Sequence, residues 1–159
     1  MAQIESIVCQ PLDRQYDDPL GDFIRVPLDA ADLVAGHGLA GDRKAGHNPA
    51  RQLNLISAEW LAARASEGYR AAPGQFGEQI IVAGLAVEQL PPGTRLQLGR
   101  DAVIEITKGR TGCARLEAAQ SKSIAGLGPI GALARVVTGG RIHGGDRVVL
   151  LVDEAVSAA

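Results

Sequence analysis

Aromatic side chains are nearly absent from this sequence: phenylalanine, tyrosine and tryptophan make up 3% of it, although 46% of its residues are hydrophobic. Its core must therefore be built from Val, Ile, Leu and Ala. Cysteine is equally scarce. Cys9 and Cys113 lie far apart, which excludes a disulfide framework and points to two reduced thiols. Charge of one sign is missing as well. The formal net charge is −2 and the isoelectric point about 5.9, so bulk electrostatics lend no support to binding DNA or RNA. No apolar run reaches the roughly 18 residues that a membrane span needs. The opening Met1-Ala2-Gln3-Ile4-Glu5 is mixed and strand-like, unlike a secretory leader. We expect a cytoplasmic protein that uses neither membrane nor nucleic acid.

What the sequence does have is glycine, 20 in 159 residues, well above the usual share of about 7%. Many tight turns imply many short strands. Strand signals run over residues 3–9, 23–26, 51–56, 79–82, 95–98, 102–107, 133–138 and 147–152, with a polar loop over 13–21 and an ambiguous stretch at 30–35. The alternation over 51–56 reads as a half-buried strand on which Arg51 shares a face with Leu53 and Leu55. One helix should start at a Ser57 cap, with Glu59 in its first turn, and stop at Gly68. A second should cover Ala114 to about Gln120. The length fits one domain over 1–153 with a fraying tail over 154–159. Short strands with closely spaced turns favour a mainly-β fold, a compact β-barrel with one or two helices outside.

Two segments, Gly36-x-Gly38-x-x-Gly41 and Gly126-x-Gly128-x-x-Gly131, match the dinucleotide fingerprint. That site needs a strand entering the turn and a helix leaving it. Gly46 and Pro49 after the first, and the short apolar run ending in Gly139-Gly140 after the second, provide no such helix. The stretch from Gly36 to Arg51 reads better as an anion-binding loop, in which glycines let backbone N–H groups converge while Arg43, Lys44, His47 and Arg51 add positive donors. Solvated loop charges with Asp42 as a partner are the other reading. Zinc spacing is absent, and His37, His47 and His143 are scattered. Glu78 could serve as a general base or be a solvated turn carboxylate.

Cys113 lies in Lys108-Gly109-Arg110-Thr111-Gly112-Cys113-Ala114-Arg115, directly after a strand and at the start of the second helix. Helix dipoles and neighbouring cations favour a thiolate, and a thiolate can be a nucleophile, a persulfide carrier or a soft metal ligand. Cys9, beside Ile7 and Val8 without an adjacent cation, reads as core packing.

Taken in order, Gly38-Leu39-Ala40-Gly41-Asp42-Arg43, Arg51 with its strand, Gly74-Gln75-Phe76-Gly77-Glu78-Gln79-Ile80, Pro92-Gly93-Thr94-Arg95-Leu96, Arg110-Thr111-Gly112-Cys113, Ala134-Arg135-Val136 and Gly145-Asp146 resemble the MOSC domain, the family named for the C-terminus of molybdenum-cofactor sulfurases. The resemblance spans about 36–151. It implies a distorted β-barrel of the pyruvate-kinase-barrel-like kind, with Cys113 as the residue that carries persulfide sulfur or ligates molybdenum in a bound molybdopterin cofactor. Arg43, Arg51 and Arg110 would then meet the cofactor's phosphate, with Glu78 and Gln79 as further contacts. Gln79 departs from the Asn usual in the family. No pyridoxal-phosphate site is recognisable, so a cysteine desulfurase, or an electron-donor protein if the chain is part of an oxidoreductase, would be a separate partner. A sulfurtransferase-like carrier, an oxidoreductase component and a non-catalytic small barrel that binds an anionic ligand or protein all remain open at this point.

Overall fold

The computed structural model describes residues 1–12 and 25–152. The expected loop over 13–21, most of the strand expected over 23–26 and the tail over 154–159 lie outside these residues. Among the described residues eleven strands and two α-helices follow one another: β1 (Gln3–Cys9), β2 (Val26–Leu28), β3 (Ala30–Val34), β4 (Gly38–Leu39), β5 (Leu53–Ser57), α1 (Ala58–Ser66), β6 (Ile80–Ala83), β7 (Arg95–Leu98), β8 (Ala102–Gly109), α2 (Ala114–Gln120), β9 (Ala132–Thr138), β10 (Gly140–His143) and β11 (Val148–Leu151). The mainly-β expectation is met. Ala30 onward is a strand, and β10 forms inside a segment that reads as a glycine-rich separator.

Eight strands make one sheet in the order β11-β7-β8-β9-β5-β6-β1-β2, and β10-β3-β4 make a second. Their inner faces share one aliphatic core that includes Ile4, Leu39, Leu55, Ile80, Leu96, Ile104 and Ile142. Cys9 belongs to this core, as its apolar setting suggested.

Among the described residues the ladder does not close into a barrel, since β11 and β2 are its two ends. The start of β1 does reach β11, through a single bridge between Gln3 and Arg147 and a bond from Val148 N to Ala2 O at 3.0 Å. A register shift between Ile4 and Ser6 accompanies the pairing of β1 with β6, and such irregularities bend a strand.

Pairing is antiparallel throughout except between β5 and β6, which run parallel with α1 between them. That connection explains a difference from the sequence reading. β5 is buried at every position rather than on one face. Leu53 and Leu55 face the main core, while Ile56 joins Leu61, Phe76, Ile81, Leu116 and Ile130 in a second cluster beneath the helices. Strands covered on both faces are the rule where a helical crossover packs on a sheet. Trp60 meets Phe76 edge to face at 5.1 Å between centroids, so two of the few aromatic rings are spent here.

Helix α1 starts as expected. Ser57 is extended (φ −84°, ψ 143°) and its Oγ accepts from Trp60 N at 3.2 Å, and the same hydroxyl donates to Glu88 Oε1 at 3.0 Å. Helix α2 covers the expected residues. Leu116 and Ala119 bury its inner face, and the Gln120 side chain closes the connection behind α1, accepting from Arg70 N at 2.7 Å and donating to Arg70 O at 2.8 Å. No helix among the described residues is long and apolar enough to cross a membrane.

Candidate functional site

The two glycine fingerprints are turns. Gly36–Gly41 carries the chain from β3 through β4, and Gly126–Gly131 leads into β9, so neither opens a helix. The chemistry gathers instead in a cleft of about 560 Å³ where three parts of the chain meet. The end of β1 and the start of β2 bring Gln10 and Arg25. The loop between β4 and β5 brings Arg43, Lys44, His47, Asn48 and Arg51. The segment joining β8 to α2 brings Arg110, Thr111, Cys113 and Arg115. Six of these side chains are Lys or Arg, and among the described residues no carboxylate lines the cleft. Lys108 points elsewhere and is exposed on β8.

Asp42 fixes the cationic loop. It is 2% exposed, and its carboxylate accepts Gln10 N at 2.8 Å, Lys44 N at 3.0 Å and Gln79 Nε2 at 3.0 Å. Gln79 in turn accepts Asn54 N through Oε1 at 2.7 Å. A hydrogen-bonded carboxylate therefore clamps this loop to β5, to the start of β6 and to the end of β1. Arg51 emerges just before β5, exposed and facing the cleft, instead of sharing the buried face of Leu53 and Leu55.

Arg110 is set differently. The β8–β9 pairing continues beyond Gly109, with Arg110 N donating to Gly131 O at 3.1 Å and Ile130 N to Arg110 O at 2.8 Å. Gly131 has to be glycine here: its φ is +79°, and a Cβ would come within 2.1 Å of Leu55 O. The Arg110 side chain is 5% exposed and donates through Nη1 to the Phe76 carbonyl. Burial, aided by Arg51 and Arg25, lowers its pKa to about 10, while Glu78 and Cys113 act in the opposite direction.

Glu78 is wholly buried and does not line the cleft. Its two oxygens accept Gly74 N at 2.7 Å and Phe76 N at 3.1 Å, which folds the 74–78 turn and presents the Phe76 carbonyl to Arg110. Burial raises its pKa against the pull of those backbone bonds and of Arg110. Gln79 is also buried and out of the cleft. Both residues act here by holding others in place.

Cys113 is exposed, stands at the N-cap position of α2 in an extended conformation (φ −131°, ψ 170°) without a side-chain capping bond, and lines the cleft. Gly112 before it packs against the second cluster, for a Cβ there would lie 2.3 Å from Ile124 Cδ1. Cys9, the other thiol, is in the core, so one accessible sulfur faces a field of cations.

Lys44 is the unusual cation. Loss of hydration lowers its pKa to about 7, Arg110, Arg25 and Arg51 push it further the same way, and Asp42 partly opposes them. The sequence placed Arg43, Lys44, His47 and Arg51 together, the resemblance joined Arg110 to Arg43 and Arg51, and the structure adds Arg115 to the same cleft. Gln10 and Arg25 carry no sequence signal that would join them to the others.

This arrangement can hold an anion and offer it a sulfur donor. No group of three or more His, Cys, Asp or Glu side chains able to hold a bare metal ion occurs among the described residues. A single soft donor beside arginines suits a metal that arrives already chelated within a phosphate-bearing cofactor.

Among curated proteins none matches the sequence significantly. Solved structures do. YiiM from Geobacillus stearothermophilus superposes with a TM-score of 0.71 at 20% identity, covering 96% of this chain and 76% of that one. YiiM from Escherichia coli gives 0.69 at 22% identity, covering 96% and 71%. The YuaD protein from Bacillus subtilis gives 0.69 at 19% identity, covering 93% and 94%. These likenesses establish a shared fold. The sequence itself matches the MOSC domain over residues 42–149, which include the cationic loop, the Glu78 turn and Cys113, and the chain therefore belongs to the MOSC domain family.

Proposed function

We propose that the chain binds a molybdenum cofactor in the cationic cleft, with Cys113 as the protein's sulfur ligand and Arg43, Arg51 and Arg110 holding the cofactor's phosphate. The observation that carries this reading is the coincidence of one exposed thiol with six cationic side chains, and no carboxylate, around a single opening. Family membership supports it at a coarser level, because MOSC domains are linked to molybdenum-cofactor and sulfur chemistry. The cofactor would supply the metal and its redox chemistry. The chain's residues would do the rest. Exposed Arg43 and Arg51 meet phosphate oxygens at the rim, Arg110 adds a fixed charge from the cleft floor, and Asp42, Glu78 and Gln79 keep these groups in position.

The test is expression in a host that makes the cofactor, followed by metal and pterin analysis of the folded protein. The parent should carry both. Arg51→Ala should lose pterin and metal together, and Cys113→Ser should lose metal preferentially. A fully folded parent with neither metal nor pterin would overturn the reading.

The exposure of Cys113, with Cys9 locked in the core, favours a second role. Here the Cys113 thiolate attacks the outer sulfur of a desulfurase persulfide. A new S–S bond forms, the donor's own S–S bond breaks, and the donor cysteine leaves as a thiolate, so no external oxidant is needed. No second thiol among the described residues lines the cleft to displace that sulfur. Incubation with a separate cysteine desulfurase and cysteine should add one sulfur to the parent by mass spectrometry and none to Cys113→Ser.

A further inference from the structure

We propose that Lys44 sets which anions the cleft accepts, taking up a proton as a doubly charged oxyanion enters. The inference rests on the anion-binding reading of the cleft and adds to it a specificity residue and a coupling to pH.

The argument begins with placement. Lys44 follows Asp42 by two residues, and its backbone N–H is fixed by Asp42 Oδ2 at 3.0 Å, so its backbone is held at the edge of the cleft that its side chain lines. Among the described residues Asp42 is the carboxylate that faces it, but that group already accepts Gln10 N and Gln79 Nε2 as well. From the other elements Lys44 faces like charges: Arg25 before β2, Arg51 before β5 and Arg110 at the end of β8. Three guanidiniums and a partly desolvated ammonium sharing one opening repel each other, and an ammonium can relieve the strain by losing its proton whereas a guanidinium does not near neutral pH. The lowered pKa of about 7 agrees with this geometry.

An oxyanion entering the cluster reverses the balance. Two negative charges among the arginines favour the charged ammonium, and Lys44 regains a donor with three N–H bonds. A phosphate monoester is mostly a dianion at neutral pH, so it recruits Lys44 fully. A singly charged ligand does so less. His47, Cys113, Arg43 and Arg115 line the same cleft, and the first two are the ionisable groups that the test must separate from Lys44.

Below the free-state value of about 7, Lys44 is charged with or without ligand, and affinity does not change with pH. Above it a proton must be taken up on binding, and affinity falls by about tenfold per pH unit until the bound-state value is reached.

The experiment is calorimetric titration of the full chain with sulfate, whose double charge does not vary over the range, between pH 6 and pH 8.5. Running each pH in two buffers of different ionisation enthalpy gives the protons taken up. The parent should bind about tenfold more weakly at pH 8 than at pH 6 and take up nearly one proton at pH 8. Lys44→Arg, which keeps the charge fixed, should bind sulfate with a flat pH profile and no proton uptake. His47→Gln and Cys113→Ser should each keep the parent's slope. The proposal falls if parent binding is independent of pH, if Lys44→Arg keeps the parent's slope, or if either His47→Gln or Cys113→Ser abolishes it. Absence of sulfate binding at every pH would instead remove the anion-binding reading itself, and this proposal with it.

Discussion

Gln79 Nε2 donates to Asp42 Oδ2 at 3.0 Å, and through this bond a buried residue at the edge of β6 governs a loop that ends in the cleft. The same carboxylate receives two backbone N–H groups, so the positions of Arg43, Lys44 and Arg51 depend on a residue that touches no ligand. The Gln79 side chain spans from Asn54 N to Asp42 and so ties β5 to the loop.

Replacing Asp42 by Asn tests this clamp. One of the three donors would then face an amide N–H. The expected cost is about 1–3 kcal/mol, the usual penalty for an unsatisfied buried polar group. Urea unfolding measures it, and sulfate affinity should fall together with stability.

Glu78→Gln should also destabilise, again by about 1–3 kcal/mol, because both carboxylate oxygens accept backbone N–H groups and the amide can serve only one. Anion affinity should drop in the folded protein, since the Phe76 carbonyl that anchors Arg110 sits on the same turn. A variant with unchanged affinity would separate the turn from the cleft.

The pH dependence of stability follows from Lys44. Its folded-state pKa of about 7 lies below the ordinary 10.5, so between these values the unfolded chain binds more protons and stability rises with pH. Below pH 7 the group is charged in both states and its penalty is fully present. Lys44→Met should therefore be more stable than the parent at pH 6, with the advantage shrinking toward pH 9. Urea midpoints across that range give the comparison.

Cys113→Ser should leave stability within about 0.5 kcal/mol of the parent, as expected for an exposed position. Thiol labelling in the native state should stop entirely in this variant, because Cys9 is in the core. Native-state labelling of Cys9 in the variant would contradict that burial.

Much of the fold can be read locally. Ser57 caps α1, β7 keeps its expected bounds, and Ala114–Gln120 is a helix because Leu116, Ala119 and Gln120 fall on one face. Elements set by tertiary contact are harder to see. β10 has four residues with Ile142 as its one buried side chain, and it exists because it pairs with β3. The double-sided burial of β5 depends on helices that pack over Ile56, which alternation within the strand does not report. The site divides in the same way. Cys113 and the loop cations carry local signals of charge and glycine. Arg25 and Gln10 reach the cleft only through the ladder between β1 and β2, and Asp42 looks like an ordinary loop carboxylate until its three donors are seen.

The strand order has a consequence for biosynthesis. β9 sits between β8 and the much earlier β5, and β11, the last strand among the described residues, is reached by Gln3 near the first through Arg147. Arg110 is held by Gly131 and Ile130, which a ribosome adds after Cys113. A nascent chain stalled just beyond α2 therefore has its thiol without the Gly131 and Ile130 contacts that hold Arg110, and the cleft forms only once β9 has been made.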